Sequence, residues 1–165
     1  MRTVIILTVL LSIACEAMPP ASIPTRIRES CVGDAERVLY LDSAFQDAEL
    51  QLILDAVDDA NQDLGSDVQV CGIVDDSVPE VFLIERGEPS SNRNTTGVYY
   101  WDRIVLYPEH TRGPDHLRKV FLHELGHMFG ADHSTDHNDV MCQGWYGVSD
   151  YSRHDIEMIN AAREM

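Results

Sequence analysis

Residues 123–133 read His-Glu-Leu-Gly-His-Met-Phe-Gly-Ala-Asp-His, in which three histidines and one glutamate stand at fixed spacings. On a helix, residues four positions apart lie on one face a turn apart, so His123 and His127 can bind the same ion. Gly130 can adopt the backbone conformation that ends a helix in a sharp turn, which would bring His133 round as a third ligand. Three histidines and one open position are the ligand set of a catalytic zinc site.

Glu124 is the residue expected to act on a water molecule at such a site. It follows His123 on the helix and is offset from the metal, where its carboxylate can take a proton. Two histidines at this spacing are common on exposed helix surfaces, but chance rarely adds a glycine and a third histidine at fixed positions. The sequence therefore predicts a hydrolytic zinc centre with Glu124 as its general base.

The pattern HExxHxxGxxH followed by a turn that contains methionine resembles the signature of the metzincin metallopeptidases. Met141 lies a short way after His133, as in that clan, where the methionine forms an apolar floor beneath the metal without binding it. Gly130-Ala131-Asp132-His133-Ser134 resembles the matrixin (matrix metalloprotease-like) branch in particular. The resemblance is specific over residues 115–142, and elsewhere it rests on the order of strands and helices.

The resemblance implies a zinc-dependent endopeptidase that hydrolyses peptide bonds in proteins with one catalytic Zn²⁺. In such an enzyme the metal polarises the scissile carbonyl and activates a water, and Glu124 passes the water's proton to the leaving amine. Two alternatives remain open: a zinc hydrolase of a non-peptide amide, and a non-catalytic secreted binding protein that zinc stabilises. A purely structural zinc site has no use for a base at Glu124, which counts against the second alternative.

The chain departs from the matrixins at three places. Cys142-Gln143 follow Met141 where matrixins usually have Tyr-Pro, so matrixin subsite specificity does not transfer to this chain. The segment around Cys31 shares only Cys and Asp with the matrixin pro-segment motif, which favours a disulfide over a latency switch. Between Glu85 and His116 there is no clear counterpart of the loop that binds structural zinc and calcium. A Ca²⁺ site is thus an alternative that no motif indicates.

The surrounding segments predict the elements that must position this site, in an α/β fold with a mixed sheet. Strands are expected at the short β-branched or aromatic runs 37–41, 68–74, 81–85, 98–101 and 104–107. Helices are expected at 45–64, at 116–129 with Asp115 as N-cap, and at 153–164 with Ser152 as N-cap. The resemblance implies a twisted five-stranded sheet with two helices, and a small C-terminal subdomain with the Met-turn and the last helix.

Some residues beside the motif have two interpretations. Residues 97–101 are the candidate edge strand along which an extended peptide could bind, or their aromatics serve only the core. Trp145 and Tyr146 wall a substrate pocket or pack ordinarily, and Asp132 supports a ligand or is a plain turn residue. The remaining histidines are expected to be surface or capping residues: His110, His116, His137 and His154.

The N-terminus has the pattern of an export signal. Arg2 precedes the apolar run 4–14, which is too short to cross a bilayer as a mature anchor. We therefore expect a signal peptide at 1–17, a linker or short pro-segment at 18–35 and a metallopeptidase catalytic domain at 36–165. The mature protein would be secreted or extracytoplasmic, and the alternative is a lipoprotein anchored through Cys15.

Length and charge restrict the function further. A chain of 165 residues suits one domain, and 28 acidic against 12 basic residues give a net charge of −16. A protein that binds nucleic acid needs a basic surface, so the charge excludes that class of partner. We expect a monomer that acts on a protein or peptide substrate and has no transmembrane span in its mature form.

The cysteine content suits an oxidising compartment. If Cys15 leaves with the signal peptide or carries lipid, three cysteines remain: Cys31, Cys71 and Cys142. One disulfide and one free thiol are then the simplest arrangement. The sequence does not determine which two cysteines pair.

Overall fold

The computed structural model describes residues 37–71, 82–88 and 94–165. The predicted signal peptide at 1–17 and the predicted linker at 18–35 lie outside these ranges, as do residues 72–74 of the second predicted strand. In the ranges that are described, no helix combines the length and the apolar character that crossing a membrane requires.

A five-stranded mixed sheet forms the framework of the molecule. Its strands are β1 (Arg37–Leu41), β2 (Val68–Cys71), β3 (Phe82–Arg86), β4 (Gly97–Tyr100) and β5 (Arg103–Leu106). They lie in the order β2-β1-β3-β5-β4, so β4 is an edge strand. All neighbours are parallel except β4 and β5, which form an antiparallel hairpin. The predicted α/β fold with a mixed sheet is confirmed.

In the described ranges, three α-helices accompany the sheet: α1 (Asp47–Leu64), α2 (Pro114–Met128) and α3 (Arg153–Arg163). As predicted, α1 ends at Gly65, whose φ of 58° is left-handed and favours glycine. The prediction for Ser152 is also confirmed, because its hydroxyl accepts the Asp155 backbone N–H at 3.0 Å. The Asp155 carboxylate accepts the Ser152 N–H at 2.9 Å, which completes a capping box at the start of α3.

The start of α2 differs from the prediction. Asp115 is not its N-cap: Gly113 holds that position with φ 126°, and Pro114 occupies the first turn. Proline suits the first turn because the N–H it lacks would have no partner inside the helix. Asp115 instead lies within the first turn, where a carboxylate favours the positive end of the helix dipole. The helix therefore begins two residues before the predicted start at His116.

Helix α2 lies in the interior of the fold. It contacts α1 on one side and strands β4 and β5 on another. Phe121 of α2 and Ile104 of β5 are fully buried in the same core, and each such side chain contributes about 1.5–3 kcal/mol relative to an exposed position. Ile159 of α3 and Met141 belong to this core too. The metal motif is thus carried by the most enclosed helix of the molecule.

Candidate metal centre

The three motif histidines converge on one point. Nε2 of His127 lies 3.2 Å from Nε2 of His123 and 3.1 Å from Nε2 of His133. Nitrogens bound 2.0–2.1 Å from a tetrahedral zinc would lie about 3.3 Å apart, so the separations fit one shared ion. Among the described residues, these three form the group whose ligand atoms lie close enough together to hold a metal ion.

Backbone carbonyls set the tautomer of two of these histidines. Nδ1 of His123 lies 2.9 Å from the Val140 oxygen, and Nδ1 of His127 lies 2.8 Å from the Ala131 oxygen. A carbonyl only accepts, so each Nδ1 carries the proton and donates it, which leaves the Nε2 lone pair for a metal. Burial, with a smaller effect of the Lys119 charge, lowers the pKa of His123 to about 3. This ligand is therefore neutral, the form that binds metal.

Gly130 turns the chain as the sequence predicts. Its φ is 90°, and its N–H donates to the His127 oxygen at 2.9 Å. The next N–H, that of Ala131, donates to the Gly126 oxygen at 3.1 Å. These two bonds form a Schellman motif, which satisfies the last carbonyls of the helix and redirects the chain. The turn is what places His133 opposite the other two ligands.

Met141 lies beneath the site, as the family resemblance implies. It is fully buried, and its sulfur occupies the space beside Gly126 of α2. A Cβ at position 126 would come within 2.3 Å of that sulfur. The absence of a side chain at Gly126 therefore lets the methionine turn pack directly against the metal-binding helix.

The buried carboxylate of Asp155 holds the methionine turn in position. It accepts the backbone N–H of Val140 at 2.8 Å and that of Met141 at 3.0 Å. The same turn presents the Val140 oxygen to His123. Asp155 thus connects the start of α3 to His123, one of the three candidate ligands, and charge-assisted hydrogen bonds of this kind are stronger than neutral ones.

A second carboxylate, Asp139, connects the third ligand to the same helix. It accepts hydrogen bonds from the Ser134 and Ser152 hydroxyls, and its Oδ2 lies 2.6 Å from Nδ1 of His154. Burial opposes ionisation of Asp139, but these bonds outweigh it and hold the pKa of the carboxyl below its usual value. The hydrogen bond to Asp139 raises the pKa of His154. Ser134 follows His133 directly, so this network supports the turn after Gly130.

Glu124 stands beside the metal site between α2 and β4. Burial raises the pKa of this carboxyl to about 7, against the opposing effects of a Tyr99 backbone hydrogen bond and the Lys119 charge. Strand β4 comes this close because Gly97 has no side chain: a Cβ there would lie 2.4 Å from Val120 and 3.2 Å from Glu124. A carboxyl with a pKa near the working pH is suited to accept and return a proton.

A cavity of about 660 Å³ contains the three histidines and Glu124. One wall is formed by residues 94–99 and the other by residues 143–145, with α2 between them. Residues 97–100 form an edge strand along the cavity, as one of the two interpretations expects, whereas Trp101 lies in the turn after it. Trp145 lines the cavity. Tyr146 is not part of the lining; it is half exposed and stacks on His137, with ring centroids 4.0 Å apart.

Several residues of the cavity were not identified from the sequence, among them His116 and Lys119. His116, expected at the surface or as a cap, is buried against Trp145 with ring centroids 4.8 Å apart. Lys119 is buried as well, and its ammonium donates to the Cys142 oxygen at 2.7 Å. Burial is the main cause that lowers the Lys119 pKa. The signal that could have found it is its position four residues before His123, on the same helix face.

Two further candidates near the motif, His110 and Asp132, differ in what they contact. Nδ1 of His110 lies 2.7 Å from the Thr95 oxygen, so this histidine fixes the loop before β4. Asp132 is exposed and forms no hydrogen bond with any residue that the structure describes, which favours the plain turn residue. Val140 and Ala131 carbonyls instead orient the ligands.

The cysteines follow the predicted division between a disulfide and a free thiol. Cys71 is disulfide-bonded, whereas Cys142 is free and buried.

The sequence profile of the matrixin family matches residues 46–161, a range that contains every residue of the site. The chain belongs to the matrixin family. Its fold is similar to that of an archaemetzincin from Methanopyrus kandleri, with a TM-score of 0.54 and 16% identity over 78% of this chain and 96% of that chain. At that identity the likeness shows the metzincin-type fold alone. No curated protein sequence matches the chain. As a matrixin it is a zinc metallopeptidase by family, and its three-histidine group can hold the zinc.

Proposed function

We propose that this matrixin is a zinc-dependent endopeptidase, with its metal held by His123, His127 and His133. The observation that carries the proposal is the convergence of three Nε2 atoms beside the buried carboxyl of Glu124. When bound there, zinc supplies a Lewis acid that polarises a carbonyl and lowers the pKa of a water molecule. The donor set suits that ion, because all three ligand atoms are imidazole nitrogens at tetrahedral separations.

Glu124 performs the proton transfer in this proposal. Its carboxylate takes a proton from the attacking water and delivers it to the nitrogen of the leaving amine. A pKa of about 7 lets the same group act as base in the first step and as acid in the second. The wall of the cavity excludes bulk water around the carboxyl, which is why its pKa is raised.

Strand β4 favours a peptide over a small amide as the substrate. It is the edge strand of the sheet and lies along the cavity beside the metal-binding histidines. An extended peptide can add to such an edge through backbone hydrogen bonds, whereas a small amide would leave most of that edge unused. Hydrolysis of a non-peptide amide is the alternative that this edge disfavours.

Replacement of Glu124 tests the proposal. Glu124→Ala should bind zinc as the wild type does but lose hydrolysis of casein or of a peptide library by at least about 10²-fold. Glu157→Ala, which removes an exposed glutamate on α3, is the matched control and should retain activity. A Glu124→Ala protein that still cleaves peptides at the wild-type rate would contradict the role of Glu124 as general base.

We also propose that residues 1–17 direct export and are removed, so that the enzyme acts outside the cytoplasm. Mass spectrometry of the protein secreted from an expression host should find Met18 at the N-terminus. An N-terminal lipid on Cys15 would instead support the lipoprotein, and an uncleaved chain would contradict export.

A further inference from the structure

Two cations at the metal cavity have no carboxylate partner among the residues that the structure describes. Lys119 and Arg112 line the cavity, and neither forms a salt bridge with any carboxylate that the structure describes. Four arginines elsewhere each pair with an acidic side chain: Arg86, Arg103, Arg118 and Arg153. The chain has 28 acidic and 12 basic residues, so carboxylates far outnumber the cations that could pair with them.

The cavity is positive although the whole chain is strongly negative. Among the described residues that line it, Glu124 is the one carboxylate, and the proposed mechanism uses that group. The other titratable lining residues are five histidines, Tyr99, Arg112 and Lys119. A pocket with this lining favours an anionic group over a cationic one, because its walls focus the field of the buried charge.

Lys119 is positioned to meet a substrate side chain close to the metal. It lies one helical turn before His123, which is about 6 Å along the axis of α2. Its ammonium has three N–H donors, and one of them is used by the Cys142 oxygen. It is only 5% exposed, so few water molecules can satisfy the remaining donors. A buried ammonium of this kind gains most from a carboxylate partner.

The direction of strand β4 decides which substrate residue would reach Lys119. Gly97, where β4 begins, lies against Val120, and Tyr99 farther along lies near His127. Strand β4 and helix α2 therefore run in the same direction past the metal site. A peptide that adds antiparallel to β4 runs the opposite way, from His127 toward Lys119. The side chain that follows the scissile carbonyl then points to the Lys119 end of the cavity.

We propose that Lys119 makes this enzyme prefer glutamate or aspartate as the residue immediately after the cleaved bond. The rings of His116 and Trp145, which are tilted by 30° with centroids 4.8 Å apart, line the same cavity as Lys119. This specificity rests on the proposed endopeptidase activity, and it names the substrate class of the same site. The net charge of −16 repels further acidic residues, so an acidic residue whose neighbours are neutral or basic would be favoured.

The test uses peptides that differ only at the residue after the cleaved bond: Glu, Gln, Leu or Lys, with mass spectrometry to locate the cut. The zinc-loaded wild-type chain should cleave the Glu peptide with a kcat/KM about tenfold or more above that of the isosteric Gln peptide. Most of the difference should lie in KM, because the contact exists before and during the reaction. Equal values for Glu and Gln in the wild type would overturn the proposal.

Variants separate a specificity role from a structural one. Lys119→Met should reduce the Glu-to-Gln ratio to about one and improve cleavage of the Leu peptide, whereas Lys119→Arg should keep the preference for Glu. Arg153→Met removes the same charge from an exposed position on α3 and should leave the ratio unchanged. A folded Lys119→Met protein that keeps the wild-type ratio contradicts the proposal. If that variant does not fold, the ratio of kcat/KM for the Glu and Gln peptides, measured on the wild type and on Lys119→Arg, still tests the proposal. A ratio near one in the wild type would contradict it.

Binding distinguishes failure of the specificity from failure of the activity. The zinc-loaded Glu124→Ala chain should bind the Glu peptide about tenfold more tightly than the Gln peptide in calorimetry. If the wild type cleaves no peptide at all, the proposed endopeptidase is wrong, and this binding ratio alone tests the role of Lys119. Equal affinities for the two peptides would then overturn that role.

Discussion

Asp155 is a residue outside the metal motif on which the shape of the site depends. Its two carboxylate oxygens accept three backbone N–H groups, from Val140, Met141 and Ser152. It is fully buried, so no water can replace a lost bond cheaply. One carboxylate therefore fixes both the methionine turn and the start of α3.

Replacing Asp155 by Asn should destabilise the protein and loosen the metal site. The amide NH₂ would face a backbone N–H, so at least one buried donor loses its acceptor, at a cost on the order of 1–3 kcal/mol. The change would be measured as the free energy of unfolding in urea, together with the zinc affinity. Asp150→Asn is the control, because that side chain is 68% exposed and should shift stability by less than about 1 kcal/mol. Equal effects of the two substitutions would contradict this role.

At the scale of single residues, the sequence predicts what depends on helical spacing. His123 and His127 could be placed on one helix face because that relation is local, and Gly130 indicated the turn to His133. The partners of these residues could not be predicted, since Asp155 reaches the turn from 14 and 15 positions away. Lys119 looks like an ordinary exposed helix residue until Cys142 and the cavity wall enclose it.

At the scale of elements, the contact between α2 and the methionine turn requires a glycine in the helix. Glycine in a helix interior usually costs about 1 kcal/mol relative to alanine. Gly126 carries that cost and gains close packing, because the Met141 sulfur fills the place of a side chain. The helix and the turn can approach only while position 126 remains free of a Cβ.

Gly126→Ala should therefore destabilise the protein, opposite to the usual effect of the substitution. We expect a loss of about 1–3 kcal/mol from overpacking against Met141. Met141→Ala alone should cost about 2–5 kcal/mol, and the double variant should cost less than the sum because the methyl group then has room. Urea unfolding of the wild type and the three variants measures this. A Gly126→Ala protein more stable than the wild type would contradict the packing.

The sequence predicts which helices and strands exist better than it predicts the residues at which they begin and end. The helices and strands follow from apolar spacing and β-branched runs, and each observed element overlaps its predicted one. The predicted N-cap of α2 is wrong. Asp115 is a good N-cap residue in isolation, but the Gly113-Pro114 pair starts the helix earlier. The close approach of β4 to α2 through Gly97 was also beyond prediction, since it depends on two segments distant in sequence.

At the scale of the whole molecule, the strand order could be expected only through resemblance. Parallel neighbours such as β1 and β3 are joined by long connections, so their pairing leaves no local pattern in the sequence. The net charge of the chain also gives no indication of the local charge in the cavity. The chain has a net charge of −16, yet it contains a cavity whose cations, Lys119 and Arg112, are not ion-paired with the described carboxylates.

The zinc ligands can be tested most directly by X-ray absorption at the zinc edge, on the purified chain and on His133→Ala. The wild type should show one zinc per chain with three imidazole nitrogens at about 2.0–2.1 Å, and His133→Ala should show two. His137→Ala, which removes an exposed histidine outside the triad, should show three. A sulfur ligand in the wild type, or an unchanged imidazole count in His133→Ala, would contradict a zinc centre built from His123, His127 and His133.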